Sequence, residues 1–136
     1  MNSELKRIML VDDDSNDNYF HEREIRKVKP DTIFIEMTTG LDALEYLKSN
    51  KDKRDMLPDL LFLDINMPAM DGWEFLEAYN KLDIELQSGV IIIMLSTSGN
   101  PEDITKAMTF SCVSDYLTKP LTREIMESII LRFFKE

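Results

Sequence analysis

Three consecutive carboxylates, Asp12, Asp13 and Asp14, follow a short apolar run, and a lone acid, Asp64, ends another. Farther along, a third run closes on the hydroxyls of Ser96 and Thr97, and the ammonium of Lys119 precedes Pro120. Brought to one place, carboxylates about 4 Å apart repel by roughly 4 kcal/mol at a surface-like dielectric, so the cluster needs either a proton or a cation. An all-oxygen set with no His or Cys close in sequence suits a hard cation that keeps its waters, and Mg²⁺ is the intracellular candidate. A backbone carbonyl next to the acid, that of Asn66, would supply one ligand. With the cation in place, Asp64 can act as an oxygen nucleophile and accept a phosphoryl group. That group adds roughly −1.5 to −2 charges at neutral pH. Lys119 and the hydroxyl of Ser96 would meet its oxygens.

For these residues to meet, the chain must carry them to one edge. Apolar runs at Ile8 to Val11, Ile33 to Met37, Leu60 to Ile65 and Val90 to Leu95, with a weaker one at Tyr116 to Leu117, read as strands. Their continuous apolarity is what strands covered on both faces require. Helices fit Ser15 to Lys27, Leu41 to Asn50, Gly72 to Lys81, Pro101 to Phe110 and Thr122 to Lys135. Asn100 before a first-turn Pro and Thr122 at a cap position are start signals. The stretches from Ser49 to Asp59 and Asp83 to Gly89 read as solvated loops or helix extensions. Strand and helix alternating five times make a doubly wound α/β domain, a five-stranded parallel sheet with helices on both faces. In such a sheet the residues just past the strand ends share one crevice, where ligands bind. A charge at the end of a buried strand is thereby held rigidly, poorly solvated, and aimed at that crevice.

The chain has 136 residues, enough for one domain with one sizeable core. Sixteen basic against twenty-six acidic residues give a net charge of −10, which leaves no electrostatic footprint for nucleic acid or anionic lipid. No apolar segment is long enough to cross a bilayer, the N-terminal MNSELKR has no secretory character, and the single Cys112 has no partner in the chain. These features predict a soluble cytoplasmic protein.

Four segments in order, "LVDDD", "LFLDINMPAMDG", "IIMLSTS" and "DYLTKPL", resemble the receiver domain of two-component response regulators, and the resemblance covers essentially the whole chain. It looks most like the stand-alone receivers without an output domain, a single domain over residues 1–136. The resemblance implies the flavodoxin-like receiver fold with strand order 2-1-3-4-5. It implies phosphorylation on Asp64 by a sensor histidine kinase or phosphotransfer protein, and Mg²⁺ held by Asp12 and Asp13, one through water, with the Asn66 carbonyl. It further implies that Ser96 and Lys119 bind the phosphoryl group, that Tyr116 is the switch aromatic, and that the Lys119–Pro120 bond is cis. Output would pass to a downstream target protein or a second copy. The domain would be a switch that assists its own phosphorylation and dephosphorylation rather than a metabolic enzyme.

The sequence departs from the family pattern in places. Asp14 is a third acid, read as facing outward and solvated or capping the next helix. "TFSCVSDY" runs one residue long, so counting back from Lys119 favours Thr97 as the switch hydroxyl, whereas the strand pattern of "IIIMLS" favours Ser96. Phe110 to Ser114 replaces a small Gly-Ala pair. His21 reads as a surface residue away from the crevice, Cys112 as a small buried side chain, Trp73 as an anchor of the third helix, and Met67 and Met70 as filling beneath the turn. Two other functions share the architecture. A magnesium-dependent phosphohydrolase would use Asp64 as nucleophile, but Asn66 stands where its second carboxylate is expected. A flavodoxin-like flavin-binding module would need a first loop that cradles phosphate, and DDDSND would repel one.

Overall fold

The computed structural model describes residues 4–134. Five strands, β1 (Arg7–Val11), β2 (Ile33–Met37), β3 (Leu60–Leu63), β4 (Ile91–Ser96) and β5 (Val113–Thr118), form one parallel sheet in the order β2-β1-β3-β4-β5. The helices are α1 (Ser15–Val28), α2 (Gly40–Ser49), α3 (Gly72–Tyr79), α4 (Ile84–Ser88), α5 (Pro101–Ala107) and α6 (Arg123–Phe133), with a single 3₁₀ turn at Arg54–Met56. The predicted architecture is the one observed.

Alternate residues of each central strand project to opposite faces, and two cores result. Met9, Val11, Leu61, Leu63, Ile92 and Met94 pack beneath Ala43, Leu47, Phe75, Leu76 and Tyr79 of α2 and α3. Ile8, Leu10, Leu60, Phe62, Ile93 and Leu95 pack beneath Ile25 of α1 and Met126, Ile129 and Ile130 of α6. The apolar runs of β1, β3 and β4 are continuous because both faces are covered. Edge strand β2 is different: Ile33 is half exposed, so its apolar run does not mark full burial.

Several boundaries differ from the sequence expectation. Strand β5 begins three residues before Tyr116, in a stretch whose Ser and Asp hide the pattern. Asp83–Gly89 holds the short helix α4, anchored by buried Leu86. Helix α5 stops at Ala107, earlier than the expected Phe110, and α6 runs to Phe133 with Phe134 extended. The expected terminus of that helix at Lys135, like the first three residues, lies outside the described residues. Among the described residues, no helix is long and apolar enough to cross a membrane.

Candidate functional site

Strand β1 ends at Val11, so Asp12 and Asp13 emerge at the rim of the sheet between β2 and β3. Asp12 is buried and Asp13 exposed, and Asp14 faces solvent as the N-cap of α1, its carboxylate accepting from the amides of Asn16 and Asp17. The capping half of the expectation for Asp14 is what occurs, and it starts the helix immediately beyond the acidic pair. Asp64 follows β3 directly. Its amide donates to the Val11 carbonyl at 3.0 Å, continuing the sheet pairing one residue past the strand and locking the acid opposite Asp12.

The chain leaves Asp64 through a tight sequence of turns. Met70 N–H donates to the Pro68 carbonyl at 2.8 Å across Ala69, whose φ of 66° lies in the left-handed region that non-glycine residues seldom enter. Gly72 then brings α3 back against the acid's own backbone: a Cβ there would stand 2.7 Å from the Asp64 carbonyl oxygen and 2.8 Å from Ile65 Cα. Asp71 and Glu74 form a reciprocal capping box at this helix start. Met67 is buried in the core below, as expected of a filler beneath the turn, with partly buried Met70 packed against it.

Carboxylate oxygens of Asp12, Asp13 and Asp64 all lie within 4.8 Å of one another. Opposite ligands of an octahedral Mg²⁺ stand about 4 Å apart, given Mg–O distances of about 2.1 Å. Adjacent ligands are closer, about 3 Å, so the acids would hold one ion by closing inward or by reaching it through water, and an all-oxygen donor set suits a hard cation. Asn66 is exposed at the start of the following loop.

Lys119 reaches into the same place from the link between β5 and α6. Its Nζ lies 2.6 Å from Asp12 Oδ2, 2.7 Å from Asp17 Oδ2 and 3.8 Å from Asp64 Oδ2. Burial alone would lower its pKa, but hydrogen bonds to Asp12 and Asp17 hold it well above the ordinary lysine value. Asp64 is also shifted upward, which for an acid favours the neutral form: burial and Asp12 push it up to about 6, with Lys119 and backbone hydrogen bonds from Asn66 and Ile65 opposing. Lys119 N–H donates to the Ser96 carbonyl at 2.8 Å, and the Lys119–Pro120 bond is cis.

Ser96 is fully buried at the end of β4, whereas Thr97 is exposed. The extra residue that made the two hard to separate is absorbed in β5. Ile92 pairs with Val113 but Ile93 pairs with Asp115, so Ser114 is passed over as a bulge and Ser96 falls opposite Thr118. Tyr116 is packed inward, and its hydroxyl donates to the Ser98 carbonyl at 2.7 Å. Trp73 stacks on Phe110 beneath the Lys106 ammonium, and Cys112 is half-buried against the same core.

Three residues at this rim were not placed there from sequence. Asp17 holds Lys119. Asn18 is buried and donates from Nδ2 to the Asp12 carbonyl at 3.1 Å. His21 is buried rather than on the surface, because α1 turns it inward over a small cavity that it lines with Asp12, Asn18 and Asp64. Burial and the Lys119 charge lower its pKa, which favours the neutral imidazole. A signal was available: Asn18, His21 and Ile25 recur at three- and four-residue spacing, which is the buried stripe of a helix, and two of them are polar.

Residues 8–131 match the family model described as the response regulator receiver domain. The chain is 32% identical over 133 residues to the Helicobacter pylori protein named sensor histidine kinase CheAY, covering 94% of this chain and 15% of that protein. It is 32% identical over 123 residues to the rice (Oryza sativa subsp. indica) two-component response regulator ORR22, covering 90% of this chain and 16% of that protein. The chain thus spans about a sixth of the length of these curated relatives. Among solved structures it resembles a two-component response regulator from Cytophaga hutchinsonii, with a TM-score of 0.86, 26% identity, and 95% and 96% of the two chains covered. A response regulator receiver protein from Dyadobacter fermentans gives a TM-score of 0.84 at 25% identity, with 96% and 99% covered.

Proposed function

The chain belongs to the response regulator receiver domain family, phosphoacceptors of two-component signalling, and from that premise we propose that Asp64 is its phosphoacceptor. The observation that carries the reading is the meeting of three carboxylates from two strand ends within 4.8 Å, with an ammonium 3.8 Å from one of them. Asp12, Asp13, Asp64 and the Asn66 carbonyl would hold Mg²⁺. When bound, that ion would neutralise charge on the phosphoryl oxygens.

The donor is a phosphohistidine on a sensor histidine kinase or a phosphotransfer protein. Asp64 attacks phosphorus in line as the P–N bond breaks, and the histidine leaves with its electron pair. Lys119 pairs with one phosphoryl oxygen and the Ser96 hydroxyl donates to another. The Lys119 N–H bond to the Ser96 carbonyl holds the two backbones side by side, so both side chains start from the same rim. Tyr116 follows Ser96, and the surface of α5, β5 and α6 changes its affinity for a downstream protein or a second copy. Water attacking the aspartyl phosphate resets the site.

Incubation with Mg²⁺ and acetyl phosphate, followed by intact mass, tests this reading. Wild type is expected to gain one base-labile, hydroxylamine-sensitive phosphate, and Asp64→Asn none. Phosphate on the Asp64→Asn protein, or steady release of phosphate from unrelated esters, would refute it.

A further inference from the structure

Lys119 has three ammonium hydrogens and three carboxylates around it, but it does not share them evenly. Two hydrogen bonds go to Asp12 and Asp17 at 2.6 and 2.7 Å, and Asp64 is left at 3.8 Å, beyond hydrogen-bonding range. Asp12 is also one of the acids that closes on a cation, so its claim on the lysine weakens once the ion binds. Asp17 has no such competing partner. It stands in the first turn of α1, fixed there by the Asp14 cap, and draws Nζ away from β3 toward the helix.

We infer that Asp17 is a latch: its ion pair holds Lys119 toward α1 in the unphosphorylated state and releases it when the phosphoryl group on Asp64 competes for the ammonium. The inference rests on the reading of Asp64 as phosphoacceptor. A phosphoryl group brings roughly −1.5 to −2 charges to within a short side-chain movement of Nζ, against a single charge on Asp17, which is about one-third exposed and partly screened. The phosphoryl group therefore wins. Before it arrives, however, every incoming anionic donor must both meet the Asp17 charge and detach Lys119 from it. Asp17 is a positioning residue acting through Lys119. Its loss should show in the apparent KM for the donor and leave the maximal rate near that of wild type.

The test is phosphorylation by acetyl phosphate at saturating Mg²⁺, comparing wild type, Asp17→Asn, Asp17→Glu and Glu24→Gln, with far-UV circular dichroism on each. Glu24 lies on the same helix and pairs with Lys27 at 2.7 Å, so Glu24→Gln makes the same charge change without touching Lys119. Asp17→Asn is expected to lower the apparent KM by about three- to tenfold, Asp17→Glu to restore it, and Glu24→Gln to leave it unchanged; Asp17→Ser replaces the amide if that variant folds poorly. Indistinguishable KM values for Asp17→Asn and wild type, or an equal drop in Glu24→Gln, would overturn the latch while Asp64 is still phosphorylated. Wild type that gains no magnesium-dependent phosphate would instead mark failure of the phosphoacceptor reading, and the latch would fall with it.

Discussion

The burial that fixes Asp64 at the rim of the sheet also makes it costly to ionise. Its carboxyl keeps a proton up to about pH 6, against 3.8 for the free side chain, because burial and the Asp12 charge both oppose ionisation. Between those values the folded state binds more protons than the unfolded one, so this group's contribution to stability falls as pH rises. The penalty is absent below the unfolded value and complete above about 6. Replacing Asp64 by Asn removes the ionised form without changing shape. With metal chelated, Asp64→Asn should therefore be more stable than wild type by about 3 kcal/mol at about pH 8, a gain that shrinks as pH falls toward about 4. Urea denaturation at the two pH values checks it, and an equal difference at both would show that the effect is packing and not charge. Magnesium should reverse the order at the higher pH, since only the wild-type carboxylate can hold it fully.

At the scale of elements, the site depends on how closely α3 returns to β3. The helix start touches the backbone of Asp64 and Ile65, with Gly72 N–H donating to the Ile65 carbonyl at 2.8 Å. A methyl group at Gly72 has no flexible neighbour to displace, only main chain. Gly72→Ala should cost about 1–3 kcal/mol in urea denaturation and slow phosphorylation by acetyl phosphate, because relief of the clash must shift the acid itself. A variant with wild-type stability and rate would show that the helix can back away freely. Much of this arrangement was legible in the sequence: Asp12, Asp13, Asp64, Ser96 and Lys119 all stand at or just past the ends of apolar runs, and a parallel sheet carries those positions to one rim. Less legible were features set by partners distant in sequence. The start of β5 is hidden because Ser114 is a bulge and Asp115 faces out to pair with Arg132 of α6 at 2.7 Å. His21 and Asn18 were obscured because polarity on α1 pointed to solvent, whereas there it marks the rim of the site. Asp17 becomes meaningful only through a lysine 102 residues away.

Over the whole molecule, a net charge of −10 surrounds a site for which the proposed function requires two small ligands of opposite charge. The protein's field draws Mg²⁺ in and repels an anionic phosphodonor. Salt screens both effects, since the Debye length contracts from about 30 Å at 0.01 M to about 10 Å at 0.1 M. The two steps of the reaction should therefore respond in opposite directions. Raising KCl from about 20 to about 200 mM should weaken magnesium binding several-fold by calorimetry, and at saturating Mg²⁺ it should speed phosphorylation by acetyl phosphate. Asp64 and Asp12 are buried, so their mutual repulsion is screened far less than the field at the surface, and the raised pKa of Asp64 should move little over the same range. If salt slowed both steps, it would be acting on the fold and not on the field, and the acidic surface would have no part in setting which ligand arrives first.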